Sequence, residues 1–344
     1  MFAVIDCGST NTRVYLIDED KVISKGEVHI GVQDTINSGS NQKLKDGIKE
    51  AFEVAAKEAS ISLQDIQYAV ASGMITSEIG LMAIPHLVAP VSLEDLADHV
   101  QIVNDPTIFP LPIPVVFVRG IKNDCGESHW DNIRKIDLMR GEETQAFGLL
   151  AQLAPTLPIN IVELGSTTKL IHIDKEGRIA GSITTLSGQV YDAVKKGTFL
   201  GGCIKDDEKS PKDSEFYSEE IVKRACDCVQ KAGFLRTLLF TRFIQFTLPT
   251  TAQERQFFME SVIAADDLKI FDEAQELGFD LNTDFIIVGN KGRSRIYEAL
   301  IKEKVNNQKK IIGVCEKKDI EMLAVRGAIE IVKGNIHVSQ LAMV

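Results

Sequence analysis

No run of eighteen consecutive apolar residues occurs in the chain, so no membrane-spanning helix is expected. Positive charge is also scarce. Thirty-eight Lys and Arg stand against 49 Asp and Glu, a net charge of −11. That deficit argues against recognition of nucleic-acid phosphates and against an anionic membrane surface. The six cysteines include no CxxC pair. Cys226 and Cys228 are two apart on a predicted helix and face different directions, so reduced thiols are expected. There is no GxxxxGK[ST] loop and no GxGxxG. His86, His99, His129 and His172 do not group at metal-ligand spacing, and no histidine is assigned a role. The first residues lack a basic stretch followed by an apolar one, so no signal peptide is expected and a cytoplasmic location is.

At 344 residues the chain is long enough for two lobes, each with its own core. Phe2–Ile5 and Thr12–Asp18 read as a hairpin, with Lys21–Val28 as a third strand. Asn41–Ser60 has Leu44, Ile48, Phe52, Ala55 and Ala59 at helical spacing. Ile66–Ser72 is a buried strand ending at Gly73, and Gly141–Leu153 is a helix. Ala154–Pro158, with two prolines, marks a boundary, giving lobes 1–154 and 155–344. Ile159–Leu164, a small hydroxylated turn and Leu170–Ile173 repeat the opening pattern. Helices are predicted over Glu219–Gly233, Phe234–Phe246, Thr251–Asp266, Arg293–Val305 and Ile320–Lys333, and strands at Phe285–Gly289 and Lys310–Val314. Gly201-Gly202 reads as a loop.

Five segments are candidates for chemistry. In the first turn, Gly8 lets backbone approach a ligand, and Ser9, Thr10 and Asn11 add donors suited to anionic oxygens. Asp6, at the strand's end, can hold a hydrated metal. An ordinary β-turn uses the same residue types. A second turn of the same kind, Gly165-Ser166-Thr167-Thr168-Lys169, lies in the opposite half of the chain. Two such turns are what gripping one phosphate chain from two sides requires. Arg13 and Lys169 either add positive charge there or form structural ion pairs. Gly289-Asn290 ends a strand in a way that suits an adenosine, or a plain strand-to-helix turn. Ser72, Gly73, Met74 and Ser77 follow a buried strand, at the edge where α/β sheets bind ligands, although Met74 also reads as core. In Arg140-Gly141-Glu142-Glu143-Thr144-Gln145 the acids fall in the first turn of a helix, where they complement the helix dipole or act as a base.

These segments together resemble the actin, hexokinase and heat-shock-70 type of ATPase. More narrowly, IDCGSTNTR at the start, SGMITSEIG at 72–80, MRGEETQAFG at 139–148 and GSTTK at 165–169 resemble the 2-dehydro-3-deoxygalactonokinase family. The resemblance implies an α/β, two-lobed actin-like ATPase (ribonuclease H-like) fold, each lobe a mixed sheet flanked by helices. It implies ATP and Mg²⁺ as cofactors and phosphorylation of the terminal hydroxyl of a 2-keto-3-deoxy sugar acid. It places phosphate contacts at Gly8, Ser9, Thr10, Asn11, Gly165, Ser166 and Thr167, and the acid pair at Glu142 and Glu143. Glu142 is preferred as base by analogy with glycerol-kinase-like relatives, whose catalytic Asp follows a Gly. Arg140 is expected to pair with the substrate carboxylate, since its planar fork fits one bidentately. Three positions depart from the family pattern. Ser187-Gly188-Gln189 stands for a Thr-Gly-Glu or Ser-Gly-Glu, Ala264-Ala265-Asp266 for a Gly-Ala-Glu, and Glu78 for a neutral residue such as Asn. A same-fold phosphatase, another sugar kinase and a non-enzymatic sugar sensor remain as alternatives. A small-molecule substrate is expected as partner, with no nucleic acid and no membrane, and a homodimer is left open.

Overall fold

The computed structural model describes residues 1–127, 129–205, 216–305, 309–335 and 338. The chain divides into two compact units. Unit 1 holds Met1–Pro155, Gly177–Gly181 and Glu321–Val344, and unit 2 holds Thr156–Glu176 and Ser182–Ile320. The first break follows Pro155. The C-terminal helix, read from sequence as part of the second lobe, belongs from Glu321 onward to unit 1. No helix among the described residues is long and apolar enough to cross a membrane.

Unit 1 opens with β1 (Phe2–Cys7), β2 (Thr12–Asp18), β3 (Lys21–Val28), α1 (Val32–Ser38), α2 (Gln42–Ala59) and β4 (Ala69–Gly73). Then come β5 (Leu87–Val88), α3 (Leu93–Asp98), β6 (Gln101–Val103), β7 (Val115–Phe117), β8 (Ile121–Lys122), β9 (Leu138–Met139) and α4 (Glu142–Leu153). The main sheet runs β3-β2-β1-β4-β7-β6, and β5-β8-β9 form a small one. β1 pairs antiparallel with β2 and parallel with β4, so the sheet is mixed. Successive strand side chains face opposite sides. Ala3, Ile5 and Cys7 therefore join one core with Leu44, Ile48, Phe52 and Ala55 of α2. Asp6 and Arg13, directly opposite each other, share the other face.

In unit 2, β10 (Ile159–Leu164), β11 (Thr168–Ile173) and β12 (Ile179–Thr185, shared with unit 1 through Gly181) precede α5 (Ser187–Gly197). Helices α6 (Glu219–Ala232), α7 (Phe234–Thr247), α8 (Ala252–Asp267) and α9 (Lys269–Glu276) follow, then β13 (Asp284–Gly289), α10 (Lys291–Lys304), β14 (Ile311–Val314) and the first residues of α11 (Lys317–Gly334), which belongs to unit 1 from Glu321. The sheet order β12-β11-β10-β13-β14 repeats that of β3-β2-β1-β4-β7. Again the central strand pairs antiparallel with its hairpin partner and parallel with the later strand. The duplication expected from the two hairpins is thus present in the sheets themselves.

Three helices differ from the sequence reading. α1 buries only Val32, and α5 fully buries only Ser187, with Val190, Tyr191 and Val194 packed half-buried against the unit 2 core. α9 is a two-turn helix joined at Leu268 to the end of α8. Gly201-Gly202 lies in a 3₁₀ turn, Phe199–Cys203, rather than an open loop.

The position of α11 follows from two glycines. A Cβ on Gly327 would lie 1.8 Å from the Thr144 carbonyl oxygen, and one on Gly148 would lie 2.0 Å from that of Leu323. The two helices touch backbone to backbone, which only residues without a side chain permit. Gly148→Ala or Gly327→Ala should therefore lower stability by roughly 1–3 kcal/mol, as overpacking does. Gly197→Ala, with nothing within 4 Å of the added methyl, should be neutral or stabilising. Urea midpoints of the three variants check this.

Candidate functional site

The first turn of unit 1 is closed by Gly8 N–H donating to Asn11 O at 3.0 Å. The Gly8 and Ser9 carbonyls accept from Val32 and Gln33 at the start of α1, at 3.2 and 2.9 Å. Gly31 makes this approach possible, because a Cβ there would sit 2.5 Å from Ser9 backbone. With the carbonyls engaged, the N–H groups of Ser9 and Thr10 have no partner among the described residues. Asn11 is oriented by His29, whose Nδ1 lies 2.8 Å from Oδ1; the amide oxygen can only accept, so the imidazole donates.

The second turn is built alike. Gln189 N–H donates to the Ser166 carbonyl at 2.8 Å, and a Cβ on Gly188 would fall 2.5 Å from the Gly165 carbonyl. Gly188 follows Gly165 at the same sequence interval as Gly31 follows Gly8. The N–H groups of Ser166 and Thr167 likewise have no partner among the described residues. Each turn thus presents unspent backbone donors, the requirement for an anion nest.

Asp6 is partly buried and pairs with Arg13 at 3.3 Å. Burial raises its pKa, and Arg13 counteracts this. Arg13 also binds Glu27 at 2.9 Å. The guanidinium is thus engaged in an ion-pair chain, the structural one of its two expected roles. In β1–β4 register, Asp6 stands opposite Ser72 and Cys7 opposite Gly73. Gly73 in turn touches the start of α4: a Cβ on Gly141 would lie 3.2 Å from the Gly73 Cα. The first turn, the Ser72-Gly73 strand end and the Arg140–Glu143 segment therefore meet at one edge of the unit 1 sheet.

Within that segment the two acids differ. Glu143 is fully buried. Both its oxygens accept from Gly141 N–H, at 2.9 and 2.8 Å, and Thr144 Oγ1 lies 3.2 Å away. Gly141 has φ +110°, and Glu143 is the brace that holds it there. Burial, then the neighbouring Glu142, pushes the Glu143 pKa up to about 7. Glu142 is half-buried and accepts from Arg140 N–H at 3.0 Å. Thr144 is buried, with its hydroxyl at Glu143 and its carbonyl against Gly327, and Gln145 N–H donates to Gly141 O within α4. Ser77 is buried and donates to Met74 O at 2.7 Å. Met74 packs against the core of unit 1.

Arg140 is half-buried and has no carboxylate within ion-pair distance among the described residues. Nη1 donates to Thr76 Oγ1 at 2.8 Å and Nη2 to Ile84 O at 2.6 Å. Burial lowers its pKa. The carboxylates of Glu78 and Glu143 act against that shift from beyond ion-pair distance.

In unit 2 a cavity of about 410 Å³ opens beside the second turn. Its walls include Gly165, Ser166, Gly188, Gln189, Ile263, Ala264, Asn290, Arg293 and Tyr297. Gly289 ends β13 opposite Leu164, and Asn290 caps α10 by accepting from Arg293 N–H at 2.9 Å. Arg293 holds the turn from below, donating to the Gly165 carbonyl at 2.8 Å and to Thr168 Oγ1 at 3.3 Å. Thr168 also reaches Ser187 and Tyr297, whose hydroxyl donates to Asp267. Thr168 thus supports the turn. Lys169, next along β11, faces the opposite way and donates to Thr184. The sequence reading missed Arg293, Tyr297 and the latch at Gly31. Arg293 stands three residues after a capping Asn, which signals only a helix start.

A family model described as 2-keto-3-deoxy-galactonokinase matches residues 6–313. The chain is similar to the 2-dehydro-3-deoxygalactonokinase of Escherichia coli (strain K12), 26% identical over 209 residues, 61% of each chain. It is also similar to a candidate enzyme of the same name from Rhizobium meliloti, 23% identical over 221 residues, 64% of each. The matches thus span about three fifths of these curated relatives' length. A solved structure of a candidate 2-dehydro-3-deoxygalactonokinase from Sinorhizobium meliloti superposes with TM-score 0.70 at 19% identity, over 97% of this chain and 98% of that one. The fold is the actin-like ATPase fold, with a mixed sheet flanked by helices in each unit.

The Glu143 brace has a consequence for pH. A carboxyl whose pKa is higher in the folded state than in the unfolded chain binds its proton more tightly when folded. Stability then falls as pH rises from the unfolded value through about 7 and levels off above it. The loss amounts to ~3 kcal/mol at most for this group. Glu143→Gln should flatten that slope between pH 5 and 8, as read by urea unfolding across the range.

Proposed function

This chain belongs to the 2-keto-3-deoxy-galactonokinase family, and from that premise we propose that it is an ATP-dependent kinase of a 2-keto-3-deoxy sugar acid, 2-dehydro-3-deoxygalactonate, giving the 6-phosphate. The observation that carries this reading is the meeting, at one sheet edge, of the first anion turn, the Glu142–Glu143 pair and an Arg140 without a carboxylate partner. An anion nest for phosphate, a carboxylate for the hydroxyl proton and a cation for the acid group are the three parts such a reaction needs.

The donor sets fit ATP and Mg²⁺. The cavity beside Gly165 offers apolar walls at Ile263, Ala264 and Ile296 and polar ends at Asn290 and Gln189, which suits an adenosine. No group of three His, Cys, Asp or Glu at metal-binding distance exists among the described residues. A Mg²⁺ that keeps its waters and shares phosphate oxygens needs only one or two carboxylates, and Asp6 supplies one. The bound nucleotide and metal supply the transferable phosphoryl group and neutralise its charge.

The chain's own residues do the rest. Gly8, Ser9, Thr10 and Asn11 bind phosphate oxygens through backbone and side-chain donors, and Gly165, Ser166 and Thr167 do the same. Arg140 binds the substrate carboxylate, and Ser72 and Gly73 form the wall beside it. Glu142 accepts the proton of the attacking hydroxyl; Glu143, engaged by Gly141, keeps that helix start in place. We place the enzyme in the cytoplasm.

Glu142→Gln should reduce turnover roughly 10²–10⁴-fold with ATP binding nearly intact. A variant within threefold of wild type in steady-state assays with ATP and the sugar acid would remove Glu142 from the base role. Release of ADP, measured against 2-keto-3-deoxy sugar acids and plain hexoses, tests the substrate. Activity with hexoses alone overturns the substrate, and ADP release without any acceptor identifies a hydrolase.

A further inference from the structure

His86 lies in unit 1 just before β5, and nothing in the proposed reaction uses it. It sits over Gly120. A Cβ there would fall 2.7 Å from His86 Cδ2, 2.8 Å from Arg140 Cγ and 2.3 Å from the Met139 carbonyl oxygen. Glycine at 120 is what lets the imidazole and the arginine stem lie together. His86 Nδ1 is 3.5 Å from Arg140 Nη2. It joins the Thr76 hydroxyl and the Ile84 carbonyl around the guanidinium. All three acceptors are uncharged. They use part of the five N–H donors of the fork and cancel none of its charge. A carboxylate in any of these places would hold the fork as well, but would neutralise it before an anionic ligand arrived.

We propose that His86 is a positioning and specificity-determining residue: a neutral imidazole that aligns Arg140 for the carboxylate of the sugar acid without pairing its charge, so that the site selects sugar acids over neutral sugars. This rests on the assignment of Arg140 to the substrate carboxylate. Two facts keep the ring neutral. Burial and the adjacent Arg140 push its pKa down to about 4, with Lys122 acting the same way and the exposed Glu78 opposing. Its Nδ1 faces a guanidinium N–H, which can only donate, so Nδ1 is held unprotonated. With Nδ1 accepting from Arg140, the ring's one proton belongs on Nε2. A second proton on Nδ1 would remove the acceptor and place like charges side by side.

The test compares His86→Gln, His86→Leu and His86→Glu in steady-state kinetics with a 2-keto-3-deoxy sugar acid, with melting temperatures to establish folding. Gln keeps a neutral acceptor and should hold the sugar-acid KM within threefold of wild type. Leu removes it and should raise that KM about tenfold. Glu supplies a charged acceptor and should raise it on the order of 100-fold, because the fork is then already paired. In all three, kcat and the KM for ATP should stay within threefold, a split that a merely structural residue would not produce. A KM within twofold of wild type for folded Leu and Glu variants overturns the proposal, as does an equal loss of kcat. If the Glu variant does not fold, the contrast between Gln and Leu decides. Arg140→Met separates the two layers. An unchanged sugar-acid KM there overturns the carboxylate assignment itself, whereas a raised KM alongside unaffected His86 variants removes His86 alone.

Discussion

Gly73 ends β4 and Gly141 starts α4; a Cβ on Gly141 would press on the Gly73 Cα at 3.2 Å, and one on Gly73 would meet the Cys7 carbonyl oxygen at 2.7 Å. Both residues hold positive φ, +88° and +110°. That contact fixes how far α4 stands from the strand pair β1–β4, and therefore where Arg140 and Glu142 lie relative to Asp6 and the first turn. It is held from both sides. Glu143 grips Gly141 through its two oxygens, and farther along α4 Gly148 and Gly327 lock the helix to α11. The segment proposed to be catalytic is thus a helix start set on a sheet edge and braced on both sides, the kind of support that holds reacting groups within the narrow tolerance catalysis demands.

The same logic is repeated in unit 2 with different residues. Each half has a hairpin, a turn of small residues, a third strand and then a helix whose leading glycine presses on the turn. Gly31 does this for Ser9, and Gly188 for Gly165 and Ser166. In both cases turn carbonyls are engaged by helix N–H groups, which leaves the turn's own N–H groups outward. Unit 2 adds a polar underlay from Arg293, Thr168, Tyr297 and Asp267, and its cavity lies there.

Much of this was legible in the sequence because it depends on local pattern. The hairpins, the α2 stripe and the two turns declare themselves through apolar spacing and small residues. What was not legible depends on tertiary contact. α1 and α5 are anchored by glycine against backbone, and glycine in a sequence reads as a turn. The C-terminal helix joins unit 1 through Gly327, whose meaning appears only when Thr144 lies against it. Arg13 and Arg140 look alike as cations near acids in the sequence. In the structure Arg13 is paired with Asp6 and Glu27, and Arg140 is ringed by uncharged acceptors. Glu142 and Glu143 are adjacent, yet one is half-buried and the other fully buried, because successive helix positions face different directions.

A half-buried guanidinium whose hydrogen-bond acceptors are all uncharged carries a desolvation cost that the more distant Glu78 and Glu143 only partly offset. Unit 1 keeps that cation in a neutral ring, although a carboxylate there would have made a more stable fold. On the proposed role of Arg140, selectivity for an acid is in this sense stored as instability of the unliganded state, to be released by whichever anion fits. Any mutation that made the resting protein more comfortable at this spot would do so by making it less discriminating.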